Sequence, residues 1–187
     1  MMNEPFQIET ERTYLTVLDE SQSDLIVRYY LENKDHLSQW EPIRSGEFYT
    51  EKYWREEISK NASMFESGLA YKFAILNKDS DSVIGVCNFN NVVHGVFKAC
   101  HLGYSIGKEY EGLGFMYEAI NAATDYIYKE VGLHRIMANY VPENNRSSAL
   151  LTRLGFENEG YAKSYLKING TWRDHVLTAK INPYSDL

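Results

Sequence analysis

The stretch Lys108-Glu109-Tyr110-Glu111-Gly112-Leu113-Gly114-Phe115 joins a strand-like run, Leu102-Gly103-Tyr104-Ser105-Ile106, to a long amphipathic run over 116–131. Two glycines at a strand–helix joint permit turns closed to residues with a Cβ and let a ligand reach the main chain. The N–H groups of the helix's first turn lack intrahelical partners, and the positive end of the helix dipole lies behind them. Such a joint holds a phosphate or pyrophosphate without any basic side chain. No Gly-Lys-Ser/Thr follows, so it is not a Walker loop. A dinucleotide fingerprint fits poorly, because the third glycine is missing and no alternating βαβ units precede the joint. A tight strand–helix turn with no ligand is the plain alternative.

Working outward, residues 13–18 alternate polar and apolar positions and read as a strand. A helix is expected over 21–37, and Trp40-Glu41-Pro42 opens a loop. A second helix over 50–67 has Thr50 as N-cap and Gly68 just past its end. Residues 71–76, 83–93 and 97–106 read as strands of an antiparallel meander. After the joint, Met116, Ala119, Ile120, Ala123 and Ile127 share one helical face, and Gly132 ends the helix. A strand over 134–141 and a short helix over 145–154 follow. The last two strands, 156–168 and 171–181, meet at Asn169-Gly170, a strong hairpin signal. The strands flanking the long helix should run parallel, since that crossover needs a helix's length. The expected fold is a mixed, mostly antiparallel α/β (α+β) sheet flanked by helices, in one domain over 1–187.

Composition narrows the function. The 187 residues are 44% hydrophobic and 24% charged, ordinary for a globular domain, with a formal net charge of -7. That balance opposes direct DNA binding, which needs clustered Lys and Arg. It suits a basic polypeptide partner. The 15 tyrosines suit both half-buried strands and grooves for flexible ligands. Cys87 and Cys100 lie in apolar runs without metal-ligand spacing, so free buried thiols and no metal site are expected. No basic-plus-apolar leader opens the chain and no apolar run is long enough for a membrane span, so a cytoplasmic protein is expected.

A second block fixes the reading of the first. Pro142-Glu143-Asn144-Asn145-Arg146-Ser147-Ser148-Ala149-Leu150-Leu151-Thr152-Arg153-Leu154-Gly155-Phe156 resembles the Asn-x-x-Ser/Ala-x-x-Leu…Gly-Phe block of the GNAT N-acetyltransferases. It stands at that family's usual distance after the glycine turn, which then resembles the family's coenzyme A pyrophosphate turn. Glu109 departs from the family's usual Gln, Arg or Lys; backbone amides do most of the phosphate binding, so the departure weakens the match only slightly. The strings 102–106, His134-Arg135-Ile136-Met137-Ala138-Asn139-Tyr140, 153–163 and 169–179, with Trp40-Glu41-Pro42, are similar to the RimJ-type enzymes. The resemblance covers nearly the whole chain.

The resemblance implies a fold in which the two parallel strands splay, and an enzyme using acetyl-CoA as co-substrate and no metal. It implies acetylation of the N-terminal α-amine (alanine) of a ribosomal protein, the fifth of the small subunit, with ribosome association. Another N-terminus or a small amine as acceptor, or an assembly factor without catalysis, are the competing functions. Under this resemblance Tyr104 and Ile106 flank the edge that pairs with the pantetheine arm. The amides of Glu111, Gly112, Leu113, Gly114 and Phe115 hold the pyrophosphate. Asn144 contacts the coenzyme arm or caps the short helix. Many family members have a leaving-group tyrosine where Leu151 stands here. Ser147, one turn earlier, either replaces it or is a plain first-turn serine. Glu159 is a candidate base, or a solvated strand residue. Trp40, Glu41 and Asn139 line the acceptor groove, with a core anchor the simpler role for Trp40. A free α-amine has a pKa near ~8, against about 10.4 for lysine, so the base need only be modest.

Overall fold

The computed structural model describes residues 6–184. The segment 1–5, on which the expected lack of a leader depends, and residues 185–187 lie outside the described residues. One eight-stranded sheet has the order β1-β2-β3-β4-β5-β6-β8-β7. Its strands are β1 (Gln7–Glu9), β2 (Thr13–Thr16), β3 (Tyr71–Asn77), β4 (Val83–Val93), β5 (Ala99–Ile106), β6 (Arg135–Tyr140), β7 (Glu157–Ile168) and β8 (Thr171–Ile181). The pair β5–β6 is parallel and every other neighbouring pair is antiparallel. The helices are α1 (Ser23–Glu32), α2 (Lys34–Leu37), α3 (Glu51–Glu66), α4 (Phe115–Lys129) and α5 (Asn145–Arg153).

Strand alternation builds two cores. On β3, Phe73 and Ile75 point to one face, while Ala74 and Leu76 point to the other. The first face packs against α4, whose Met116, Ala119, Ile120, Ala123 and Ile127 are buried as one stripe. The second face packs against α1 and α3 through Ile26, Tyr29, Tyr30 and Ile58. Ile120 is fully buried, so Ile120→Ala should cost about 2–5 kcal/mol of stability. Denaturant titration checks this; an unchanged midpoint would contradict the packing.

Local signals behave as their chemistry demands. Thr50 caps α3 by accepting from the Tyr53 N–H at 3.3 Å. Asn169 and Gly170 both have positive φ (44° and 78°), as the tight hairpin between β7 and β8 requires. The single helix expected over 21–37 is instead a short 3-10 turn at Glu20–Gln22 followed by α1 and α2, which meet at Asn33. The Asn33 side chain turns back to the Tyr29 carbonyl and also accepts from the Lys108 N–H, and this tie accompanies the break. Strand β1 was not expected. Three residues carry too little periodicity to read, and pairing to β2 supplies the order.

Burial pushes the Cys87 thiol well above its ordinary range and the Cys100 thiol up to about 12. The thiolate is the reactive form, so neither should react with a colorimetric disulfide reagent at about pH 8 until the chain unfolds. Stoichiometric labelling of the native protein would contradict the burial of both.

Candidate functional site

Strands β5 and β6 pair only at Ala99–Arg135, Cys100–Ile136 and His101–Met137. Beyond His101 they part. There β5 continues to pair with β4 as far as Ile106, and β6 with β8 as far as Tyr140. The wedge leaves one edge of Leu102–Ile106 without a strand partner, and such backbone groups require another one. A groove of about 1190 Å³ runs from the wedge. It is bounded by α2 and the loop after it, by β5 and the glycine turn, and by the start of α5. Its lining includes Trp40, Glu41, Tyr104, Ile106, Glu111, Gly112, Gly114, Asn144 and Ser147. The chain thus brings nine of its sequence-expected site residues to one groove.

The glycine turn has the anticipated geometry. Gly112 and Gly114 have φ of +74° and +86°, and Gly114 is the N-cap of α4. A Cβ on Gly112 would meet nothing within 4 Å, so the turn faces open space. Arg12 braces it from behind. Its Nη1 donates to the Leu113 carbonyl at 2.9 Å, its Nε pairs with Glu118 at 2.8 Å, and its guanidinium lies 4.2 Å from the Phe115 ring centroid. Burial raises the Glu118 carboxyl, but hydrogen bonds from Thr10 and Arg12 outweigh it and hold the group below the usual range. Leu113 and Phe115 therefore shape the turn from outside the groove, with Leu113 exposed toward a shallower depression of about 640 Å³.

Across the groove, Glu111 takes contacts from His36, at 3.4 Å, and from Arg146. Burial lowers the His36 pKa, although a hydrogen bond with the Ile106 backbone works the other way. Asn144 caps α5 by accepting from the Ser147 N–H at 3.1 Å, so the capping role is realised while the residue also faces the groove.

At the wedge, the Tyr104 hydroxyl lies 2.5 Å from Ser147 Oγ, and either oxygen can donate. Desolvation pushes the phenol up to about 12, so it keeps its proton near neutral pH. Leu151 is buried in the core, and its side chain cannot donate a proton. A tyrosine from β5 thus reaches the serine at the start of α5. On the opposite face, Tyr29 of α1 places its hydroxyl 2.8 Å from Ser105 Oγ.

Besides Leu113 and Phe115, two expected site residues lie outside the groove lining. Glu159 is exposed on β7, and Arg135 Nη1 contacts its carboxylate oxygens at 2.8 and 2.7 Å, outside the groove lining. Asn139 packs toward β7, its amide 3.4 Å from the Tyr165 hydroxyl, also outside that lining. Arg12, Tyr29, His36 and Arg146 were not singled out from sequence. Each acts through a partner distant in the chain, and no local pattern announces it. Among the described residues no group of three or more His, Cys, Asp or Glu side chains could hold a metal ion.

Residues 12–157 match the family model described as an acetyltransferase (GNAT) domain. The chain is 44% identical to the [ribosomal protein uS5]-alanine N-acetyltransferase of Escherichia coli, over 95% of this chain and 91% of that protein. It superposes on the solved ribosomal-protein-S5-alanine acetyltransferase of Vibrio fischeri with a TM-score of 0.93 and 38% identity, covering 97% and 100% of the two chains. Mycobacterium smegmatis RimJ, solved in complex with CoA-disulfide, gives 0.89 at 27% identity, with 98% and 90% covered.

Proposed function

Because the chain belongs to the GNAT acetyltransferase family, we propose that it acetylates the N-terminal alanine α-amine of the fifth small-subunit ribosomal protein. The chain is an N-acetyltransferase, and its acetyl donor is acetyl-CoA. What carries the acceptor assignment is the 44% identity across nearly the full chain to an enzyme of that specificity. The acceptor places the reaction in the cytoplasm, with the ribosome or its free protein as partner. The net charge of -7 opposes DNA as a partner and favours a basic polypeptide. Among the described residues no helix is long and apolar enough to cross a membrane.

The residues fit the donor. Open space before Gly112, a strand edge lacking a partner and a groove larger than the common small-ligand range suit a long, phosphate-bearing molecule. When bound, acetyl-CoA supplies a thioester carbon open to attack by nitrogen. The amides from Glu111 to Phe115 and the dipole of α4 bind the pyrophosphate. The free edge from Tyr104 to Ile106 orients the pantetheine amides and offers an N–H to the carbonyl oxygen. Tyr104 and Ser147 hold a proton for the departing sulfur. Asn144 orders the start of α5 and so fixes Ser147. Trp40 and Glu41 shape the acceptor side of the groove. Asn139, hydrogen-bonded toward β7, orders that strand beside the acceptor side. Glu159, the base expected from sequence, stands outside the groove lining with both carboxylate oxygens on Arg135, a placement that does not favour it as the group that takes the amine proton.

Mass spectrometry of ribosomal-protein N-termini from cells with and without this chain tests the acceptor. An acetyl group on the alanine terminus of the fifth small-subunit protein only when the chain is present supports it. An identical pattern in both would reject it.

A further inference from the structure

An α-ammonium must lose a proton before its nitrogen can attack, and the groove itself contains a carboxylate placed to take it. We propose that Glu41 is the proton acceptor for the incoming α-amine, an inference that rests on the acetyl-transfer reading above. The side chain lines the groove and is only 17% exposed. Its loop is clasped by the β7–β8 turn. The Asn169 N–H donates to the Glu41 carbonyl at 2.8 Å, and a Cβ on Gly170 would meet Ile43 Cδ1 at 3.0 Å. Arg44 reaches the carboxylate only at Oε2, at 3.2 Å from Nη2 and 3.4 Å from Nε. No hydrogen bond to Oε1 exists among the described residues, so that oxygen is left for a ligand.

Its position relative to the wedge follows from the groove, whose lining joins Glu41 to Tyr104, Ser105 and Ile106 of β5. The carboxylate therefore faces the same groove as the strand edge that holds the thioester. Glu159 sits outside the groove lining with both oxygens taken by Arg135. Burial raises the Glu41 carboxyl above its ordinary range despite Arg44, which makes the ionised form a better base. The charged and titratable groups around it are Arg44 on its own loop and Tyr29 and Tyr30 of α1. Glu32, Asp35, His36, Lys108, Glu111, Glu143, Arg146 and Arg153, with the phenols of Tyr104, Tyr110 and Tyr117, share the groove.

Oε1 pairs with the ammonium and takes one N–H proton. The nitrogen bonds to the acyl carbon and sheds its second proton to water, while the carbon–sulfur bond breaks and its electron pair stays on sulfur. The sulfur receives a proton from the Tyr104–Ser147 pair, which is replenished from solvent, and Glu41 returns its own proton to solvent.

The experiment compares wild type with Glu41→Gln on a peptide beginning with alanine, following thiol release across a range of pH, with coenzyme A affinity measured by calorimetry. The variant should be slower by about 10- to 100-fold near neutral pH, a modest effect for a positioned base because the amine is already partly neutral. Coenzyme A affinity should not change. Because the carboxylate takes its proton from the ammonium form, the wild-type kcat/KM should stay level as pH falls below the amine pKa, and fall with the first power of proton concentration only where Glu41 itself becomes protonated. The variant needs an amine that is already neutral, so its kcat/KM should fall with the first power from the amine pKa, near ~8, downward. A slower variant with the wild-type pH dependence would show a structural role and overturn the proposal. So would full activity in Glu41→Gln, or a loss confined to Glu159→Ala. Wild type's failure to acetylate the alanine peptide would instead reject the acceptor assignment. The pH comparison is then made with whichever amine the enzyme does acetylate.

Discussion

Gly114→Val is expected to weaken coenzyme A binding by about 10²-fold or more, read by calorimetry. Gly114 sits at φ +86° at the N-cap of α4, where a β-branched residue is a backbone outlier. The valine must either distort the turn or keep it at a cost of roughly 1–2 kcal/mol. Its Cβ would come within 3.4 Å of Arg12 Nη2, the guanidinium that braces the Leu113 carbonyl. Either response turns amides away from a pyrophosphate. Each charge-assisted hydrogen bond is worth about 1.5–3 kcal/mol, so losing two gives the stated loss. Gly114→Ala separates strain from bulk, since it has the same φ penalty without the branch. A valine variant that is folded by circular dichroism and binds coenzyme A normally would show that the turn does not hold the pyrophosphate.

Tyr104→Phe and Ser147→Ala should each lower kcat by about 10²-fold, the usual contribution of a positioned acid, with little change in KM for the donor. The 2.5 Å contact between the two hydroxyls is the reason to expect shared behaviour. Groups acting as one unit are not additive, so the double variant should be no slower than the slower single one. Multiplying losses would mean that the two act separately. Wild-type turnover in both single variants would remove the pair from the chemistry and leave the sulfur to depart as thiolate.

The frame of the enzyme could be read from local signals because local chemistry dictates it. Gly112 and Gly114 reveal the turn by lacking Cβ atoms, Asn169-Gly170 by tolerating positive φ, and the stripe from Met116 to Ile127 by its period. The wedge was implied only by resemblance, because an unpaired strand edge leaves no mark in the strand's own sequence. The brace from Arg12 to Leu113 and Glu118 spans about a hundred residues, so no window of sequence contains it. Tyr104 was legible as a strand residue, but not as the partner of Ser147 on another element. Glu159 and Asn139 show the converse problem. Their strings resemble those of related enzymes, yet β7 and β6 direct both side chains into contacts outside the groove lining.

A crystal structure with bound acetyl-CoA tests the central claim most directly. The account predicts the pyrophosphate on the amides of Glu111 to Phe115 and the pantetheine along the free edge of β5. The sulfur should lie within hydrogen-bond reach of the Tyr104–Ser147 pair. A pyrophosphate seated in the outer depression beside Glu9 and Arg12, with the wedge between β5 and β6 closed, would contradict it.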